Sequence, residues 1–249
     1  MNAGRTARER VRAELVREIT ELARRQLATD GAAGLSLRAV AREMGMVSSA
    51  IYRYFPSRDD LLTTLIIDGY NAVGAAVEKA DAASPREDYP GRWLAACRAV
   101  RNWALAHPHE YALVYGSPVP GYRAPEQTIA PAARAAAVFG AIIGDAYRAG
   151  AAEGVGTGTG GSAGAGGATV PGAPVRVPES FAPDAARLRE AILDGVPDHV
   201  AAAALIAWSG LFGLVSFELF GQFENVVTDR AAFFDHAAAC LGRLTGLPG

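Results

Sequence analysis

Lysine is nearly missing from this chain: a single Lys79 stands against 23 arginines. With the heavy use of Ala and Gly, that reads as coding bias in a GC-rich genome and says nothing of function. Cysteine is scarce as well. Cys97 and Cys240 both fall in Ala-rich helical patterns and are expected as buried free thiols in a reducing cytoplasm, not as a disulfide framework. Net positive charge is absent, the total being −2, so the chain as a whole is no basic nucleic-acid binder. No basic-apolar-small leader precedes residue 30, and no apolar run is expected to reach 18 residues free of charge, so a soluble cytoplasmic protein is expected. Catalytic signatures are lacking too. Gly116-Ser117-Pro118 and Ser209-Gly210 do not form a Gly-x-Ser-x-Gly elbow. No Gly-Lys-Ser/Thr follows the Gly-rich residues 151–180, which exclude a phosphate-cradling loop. Four His and two Cys show no metal-ligand spacing except His107-x-His109, which Pro108 holds at a bend and which reads as helix capping. No catalytic residue, metal or cofactor is expected.

What is present is an asymmetry of charge. Residues 1–58 carry eleven Arg, no Lys and six acids, net +5, which leaves −7 for the remainder. A basic head on an acidic body fits a chain whose head alone meets phosphate. Half the residues are hydrophobic, ample for a buried core.

The chain is organised around residues 35–58. Ser36 is a good N-cap for a short helix whose inner face is Leu37, Val40, Ala41 and Met44. Gly45 supplies the left-handed residue that ends it. A second short helix over about 47–54 turns Ile51 and Phe55 inward at i and i+4, and Pro56 stops it. Ser57-Arg58-Asp59-Asp60 reads as a capping box opening a long third helix. Two short helices joined by a Gly-containing turn are the helix-turn-helix pattern. The outward residues Ser48, Ser49, Tyr52, Arg53 and Tyr54 carry hydroxyl or guanidinium donors, and Ala50 is small. Such a rod fits the major groove, about 12 Å wide.

Gly34-Leu-Ser-Leu-Arg-Ala-Val-Ala and Gly45-Met-Val-Ser-Ser-Ala-Ile-Tyr-Arg-Tyr-Phe-Pro-Ser-Arg-Asp-Asp-Leu-Leu resemble the DNA-binding domain of the TetR family of transcriptional regulators over about residues 10–65. Val47 departs from the pattern, since the family usually caps the recognition helix there with Ser or Thr. Either the cap shifts to Ser48 or that phosphate contact is missing. Arg58 stands where the family often has Lys and keeps the charge.

Along the chain, residues 1–8 are expected to be disordered until DNA is met. Residues 9–29 read as a helix ended by Asp30-Gly31, with Arg5, Arg8, Arg10 and Arg12 at or before its start, within reach of a groove or the backbone. The helix opened by Ser57 reaches about Ala80, and its two halves belong to the two halves of the protein. Helices follow over about 92–106, from His107-Pro108-His109 to Tyr115, from Pro125 or Thr128 to Gly150, and over 184–194. Residues 151–180 form a flexible Gly-rich loop. From Pro197-Asp198 to about Phe223 runs the most apolar helix, and Thr228 caps a last one to about Leu244. These two are expected to pair with their symmetry mates as a four-helix bundle. The stretch Trp208–Gly210 through Phe217–Gly221, with His107–Leu113 and Gly116–Gly121, resembles a ligand-binding C-terminal domain common in actinobacterial TetR-type regulators.

The expected architecture is therefore all-α: a three-helix helix-turn-helix domain, residues 1–58, joined to a larger dimerisation and ligand-binding domain, residues 59–249. The resemblance implies a sequence-specific regulator, most often a repressor released by a small apolar or amphipathic effector, bound as a homodimer to a palindromic double-stranded operator. Ser48, Tyr52, Tyr54 and Arg58 would hold phosphates, while Arg38, Ser49 and Arg53, with Ala50 between, would lie nearer base edges. Trp93, Trp103, Tyr111, Tyr115, Phe139, Trp208 and Phe212 are candidates for an apolar effector cavity or for plain core. Glu218, a lone charge in an apolar helix, either meets an Arg or backbone partner at the dimer seam or faces a pocket and a polar or cationic ligand. Two other classes remain: a dimeric small-molecule-binding protein of the same fold without DNA regulation, and a helical enzyme using Glu218 or the His pair.

Overall fold

The structure, a computed structural model, describes residues 3–152 and 177–248. Most of the expected Gly-rich loop lies outside the described residues. Those described form α1 (Ala3–Gly34), α2 (Leu37–Glu43), α3 (Ser48–Ile51), α4 (Arg58–Ala82), α5 (Tyr89–Ala106), α6 (Pro108–Tyr115), α7 (Ile129–Arg148), α8 (Ala182–Ala191), α9 (Asp198–Leu219) and α10 (Arg230–Leu244), with no strand among them. The all-α expectation holds. The chain falls into two compact units, one of residues 1–74 and 104–132, the other of residues 75–103 and 133–249.

The first unit is built on a core of Ile19, Leu22, Ala23, Leu35, Leu37, Val40, Ala41, Ile51, Phe55, Leu61, Leu62 and Leu65. Burying each such side chain contributes about 1.5–3 kcal/mol, which is why a helix as short as α3 holds: Ile51 within it and Phe55 just after it are the anchors. The unit reaches past the expected boundary at residue 58. The first half of α4 supplies three core leucines, and Leu113, Val119 and Tyr122 pack against the same core. The Tyr122 hydroxyl meets that of Thr63 on α4 at 2.9 Å. Val119 and Tyr122, beyond α6, thus strap the head.

Helix α1 begins at Ala3, earlier than the expected residue 9. Ala, Arg and Glu are good helix formers and no proline interrupts them. Gly31, at φ 69°, breaks its regular path where Asp30-Gly31 had been read as the end.

In the second unit, α9 buries Val200, Ala201, Ala207, Leu211 and Val215. Phe234 and Ala238 are the buried side chains of α10. The cap of α10 is Asp229 rather than Thr228: its carboxylate accepts from the Ala232 N–H at 2.9 Å, as a charged acceptor at a helix start should. Residues Glu126–Arg148 and Asp198–Leu219 are long and apolar enough to cross a membrane by length and composition, and no Asp, Glu, Lys or Arg occurs from Val200 to Phe217. The sequence reading that found no such segment is corrected here. Cys97 is buried, and burial pushes its thiol pKa up; Cys240 is only half-buried, against the expectation for both.

Candidate nucleic-acid interface

The α2–turn–α3 segment forms from local chemistry. The Ser36 hydroxyl accepts the Ala39 N–H at 3.4 Å, and Gly45, at φ +66°, lets the chain turn after α2. A side chain at that φ would be strained. Val47 occupies the N-cap position of α3 and makes no side-chain capping bond, while Ser48 is already helical. The cap therefore does not move to Ser48. Val47 is instead 72% exposed. After α3, the Ser57 hydroxyl accepts the Asp60 N–H at 3.1 Å and lies 2.7 Å from the Asp60 carboxylate. The Ser57 cap expected there is formed, and α4 starts from it; the Asp60 carboxylate returns to the Ser57 hydroxyl and not to its backbone N–H, so the reciprocal half of the capping box is not made.

The inner faces of α2 and α3 are consumed by the core, and this fixes what points outward. Arg38, Ser48, Ser49, Tyr52 and Arg53 are exposed, and Ala50 is half-buried. Hydroxyls, guanidinium groups and a phenol are thus left exposed on α2, on α3 and just after it.

Two of the expected contact residues have other occupations. The Arg58 guanidinium donates through Nε to the Leu35 carbonyl at 3.1 Å and through Nη2 to those of Ala32 and Ala33 at 2.6 and 3.3 Å. It satisfies the carbonyls left open between Gly31 and α2, so it does not extend toward a phosphate as expected. Tyr54 is half-buried against the core and lies under Arg12, whose guanidinium carbon is 5.3 Å from the ring centroid. Arg12 also donates to the Arg53 carbonyl at 3.2 Å. The sequence reading had placed Arg12 among possible groove contacts; here it anchors the C-terminal end of α3 to α1. Arg24 ties the same unit together, bridging Asp68 of α4 at 2.8 Å and Glu110 of α6 at 3.5 Å. Burial raises the Asp68 pKa against the lowering effect of Arg24.

The eight residues expected around an effector fall in both units. Tyr111 and Tyr115 lie in the first unit, with ring centroids 5.2 Å apart. In the second, edge contacts join Trp93 to Phe139 at 5.1 Å and Phe139 to Trp208 at 5.8 Å, and Trp208 meets Phe212 at 4.6 Å. Trp93 and Trp103 are buried, and the Trp93 indole N–H donates to the Ala238 carbonyl at 2.8 Å. Glu218 has its Arg partner: Arg101 grips it through two bonds of 2.7 and 2.6 Å, with 7% of the Glu218 side chain exposed. A bidentate pair of this kind fixes geometry and leaves the carboxylate spoken for. Two surface grooves of about 330 and 310 Å³, lined by Arg17, Glu21 and Glu43 and by Gly140, Arg148 and Asp194 among others, include none of the eight. His107 sits at the N-cap position of α6 without a side-chain capping bond, so the capping role read for it is not taken.

Sequence reasoning missed a buried polar cluster. Arg92, 1% exposed, binds Asp81 at 2.7 Å and Asp145 at 2.9 Å and donates to the Arg86 carbonyl at 3.1 Å. Arg86 and Arg148 hold the other sides of those carboxylates at 2.7 and 2.6 Å. The carboxylates come from different helices, and nothing in local spacing signals the meeting.

Comparison with known proteins accounts for this architecture. Residues 19–65 match the family model for bacterial regulatory proteins of the tetR family, and residues 93–241 match that for the tetracyclin repressor-like C-terminal domain. HTH-type transcriptional regulators of Mycobacterium tuberculosis and Mycobacterium bovis are each 39% identical over 237 residues, covering 93% of this chain and 90% of theirs. The crystal structure of SCO4313, a protein assigned as regulatory, superposes with a TM-score of 0.71 at 33% identity over 94% of this chain and 97% of its own. A tetR-family regulatory protein from Rhodococcus RHA1 shares the fold, with a TM-score of 0.59 at 17% identity and coverage of 94% and 98%. With both halves matched and an exposed helix-turn-helix ridge at its head, this chain belongs to the TetR family of DNA-binding transcriptional regulators.

Proposed function

We propose that the protein is a cytoplasmic, homodimeric repressor, without catalytic activity, that leaves a palindromic operator when a small apolar or amphipathic effector binds its body. The observation that carries this is the exposure of Arg38, Ser48, Ser49, Tyr52 and Arg53 on helices whose opposite faces are buried. Ser48 and Tyr52 hold phosphates; Arg38, Ser49 and Arg53 approach base edges, and the two arginines suit guanine bidentately. Dimerisation through α9 and α10 is supported by the apolar side chains these helices leave in solvent: Leu205, Ile206, Phe217, Phe220, Phe233 and Leu244 are 38–61% exposed. An exposed apolar face of that extent calls for a partner, and a second copy offers the same face in return.

Helix α4 contributes to both units, which suits it to carry a shift from the body to the head. Repression is lifted if the effector binds the DNA-incompetent state more tightly; a coupling of about 1–3 kcal/mol lowers operator affinity roughly 5–150-fold. The test is selection of bound genomic fragments followed by a shift assay on the selected duplex. Recovery of a defined inverted repeat whose binding falls steeply with salt supports the reading. Failure to select any sequence above random DNA overturns it.

A further inference from the structure

We infer that Val47, the exposed side chain just before α3, helps to select the operator by packing its methyls on the C5-methyl of a thymine in each half-site. The inference deepens the DNA-binding reading and rests on α3 entering the major groove.

Val47 goes against the rules that shape the rest of the head. It stands at the N-cap of α3, in extended backbone with φ −64° and ψ 135°, and makes no side-chain bond there. Ser, Thr, Asp or Asn at that position would accept a free N–H of the first turn, and valine is among the poorest residues for the task. The helices on either side are capped in the ordinary way, α2 by the Ser36 hydroxyl and α4 by that of Ser57. Valine gives up the cap and gains no burial in its place. It is 72% exposed, while its neighbours Met44 and Met46 pack against the head core. A single exposed valine is ordinary on a surface; one that also displaces a helix cap is not. Its side chain contributes only when a partner covers it.

The chemistry of the groove names that partner. Recognition helices meet base edges through their first residues. Among the donors and acceptors of those edges, the apolar feature is the thymine methyl. Valine neither donates nor accepts, so phosphates and purine edges offer it no bond, and the thymine methyl is the group it fits. Branching at Cβ holds its two methyls in few rotamers, so little freedom is lost on contact. Ser48 and Ser49, exposed beside it, carry hydroxyls for the polar groups around that methyl.

The test uses the full-length protein and the selected operator. Each thymine is replaced in turn, in both half-sites, by deoxyuridine, which keeps the base pair and lacks only the methyl. Wild type is expected to lose affinity at one symmetric pair of positions, roughly fourfold per half-site for one buried methyl. Val47→Ala is expected to bind the unmodified operator more weakly by a similar factor. It should be indifferent to deoxyuridine at that pair, with its response at every other thymine unchanged. Alanine is as poor a cap as valine, so the melting temperature should match wild type. Val47→Ser supplies the cap that α3 lacks. It is expected to melt higher than wild type and yet to lose the methyl preference, a split that a purely structural role for Val47 does not give. Wild type indifferent to deoxyuridine at every position overturns the inference, as does a methyl dependence that survives unchanged at every position in both variants. If wild type selects no operator at all, the groove reading has failed, and the inference falls with it for that separate reason.

Discussion

At the scale of single residues, donors on the head divide into those spent inside the fold and those left exposed. Arg38 and Arg53 are exposed, while Arg58 and Arg12 hold carbonyls. Arg38→Ala is expected to cost about 1–3 kcal/mol of operator binding and to relax choice at one base pair. Tyr52→Phe removes only a hydroxyl from the ridge and should weaken all sequences alike; competition binding against single-base operator variants separates the two. Arg58 behaves otherwise. Arg58→Ala leaves the carbonyls of Ala32, Ala33 and Leu35 without their donor, and should lower head stability by about 1–3 kcal/mol. Arg58→Lys keeps the charge but not the fork that spans three carbonyls, so it should restore little of the melting temperature. Full recovery by Lys would return Arg58 to the phosphate-binding set.

At the scale of elements, the second unit depends on close approaches and on buried charge. A Cβ at Gly140 of α7 would stand 2.1 Å from the Ile192 carbonyl oxygen just after α8. Gly140→Ala should therefore cost about 1–3 kcal/mol by forcing α7 and α8 apart, read as a lower melting temperature. The Arg92 cluster gives a pH dependence. Burial pushes the Asp81 and Asp145 carboxyls up, but hydrogen bonds and charge from Arg92, with Arg86 and Arg148, outweigh it and hold both below the usual carboxylate range. Groups depressed in the folded state stabilise it above their unfolded value, about 3.9, and that contribution is lost as pH falls through the folded values. The melting temperature should drop on acidification below about pH 4, and less steeply in Arg92→Leu, whose melting temperature is already lower. The contrast between elements shows what the sequence carried. Caps at Ser36 and Ser57, the Gly45 turn and the inward Ile51 and Phe55 were legible because each is a relation within a few residues. Arg58 reaching back to Ala32, Arg92 joining Asp81 to Asp145, Arg101 gripping Glu218 and α6 docking on the head all join residues distant in the chain. Spacing cannot say which carbonyl or carboxylate a long side chain will find, and so these partners and the head's extent escaped the sequence reading.

At the scale of the whole molecule, operator recognition in the proposed dimer is a property of two heads, so it depends on whatever joins them. Ile206 of α9 is 61% exposed and buries little in a single chain. Ile206→Glu should leave the monomer's helix content unchanged and split the proposed dimer, because it puts a charge from each copy into the apolar interface. Sedimentation should report a monomer, and operator affinity should fall by orders of magnitude through loss of the second head. The most direct test of the central claim, that the exposed α2–α3 ridge is presented twice to the major groove, is base-resolution interference footprinting on the selected operator. The account predicts two symmetric patches of major-groove interference, centred about 34–36 Å apart or a multiple of that, with one position in each patch lost in Arg38→Ala. A single patch, or a pair unaffected by substitution in α2 and α3, would contradict it.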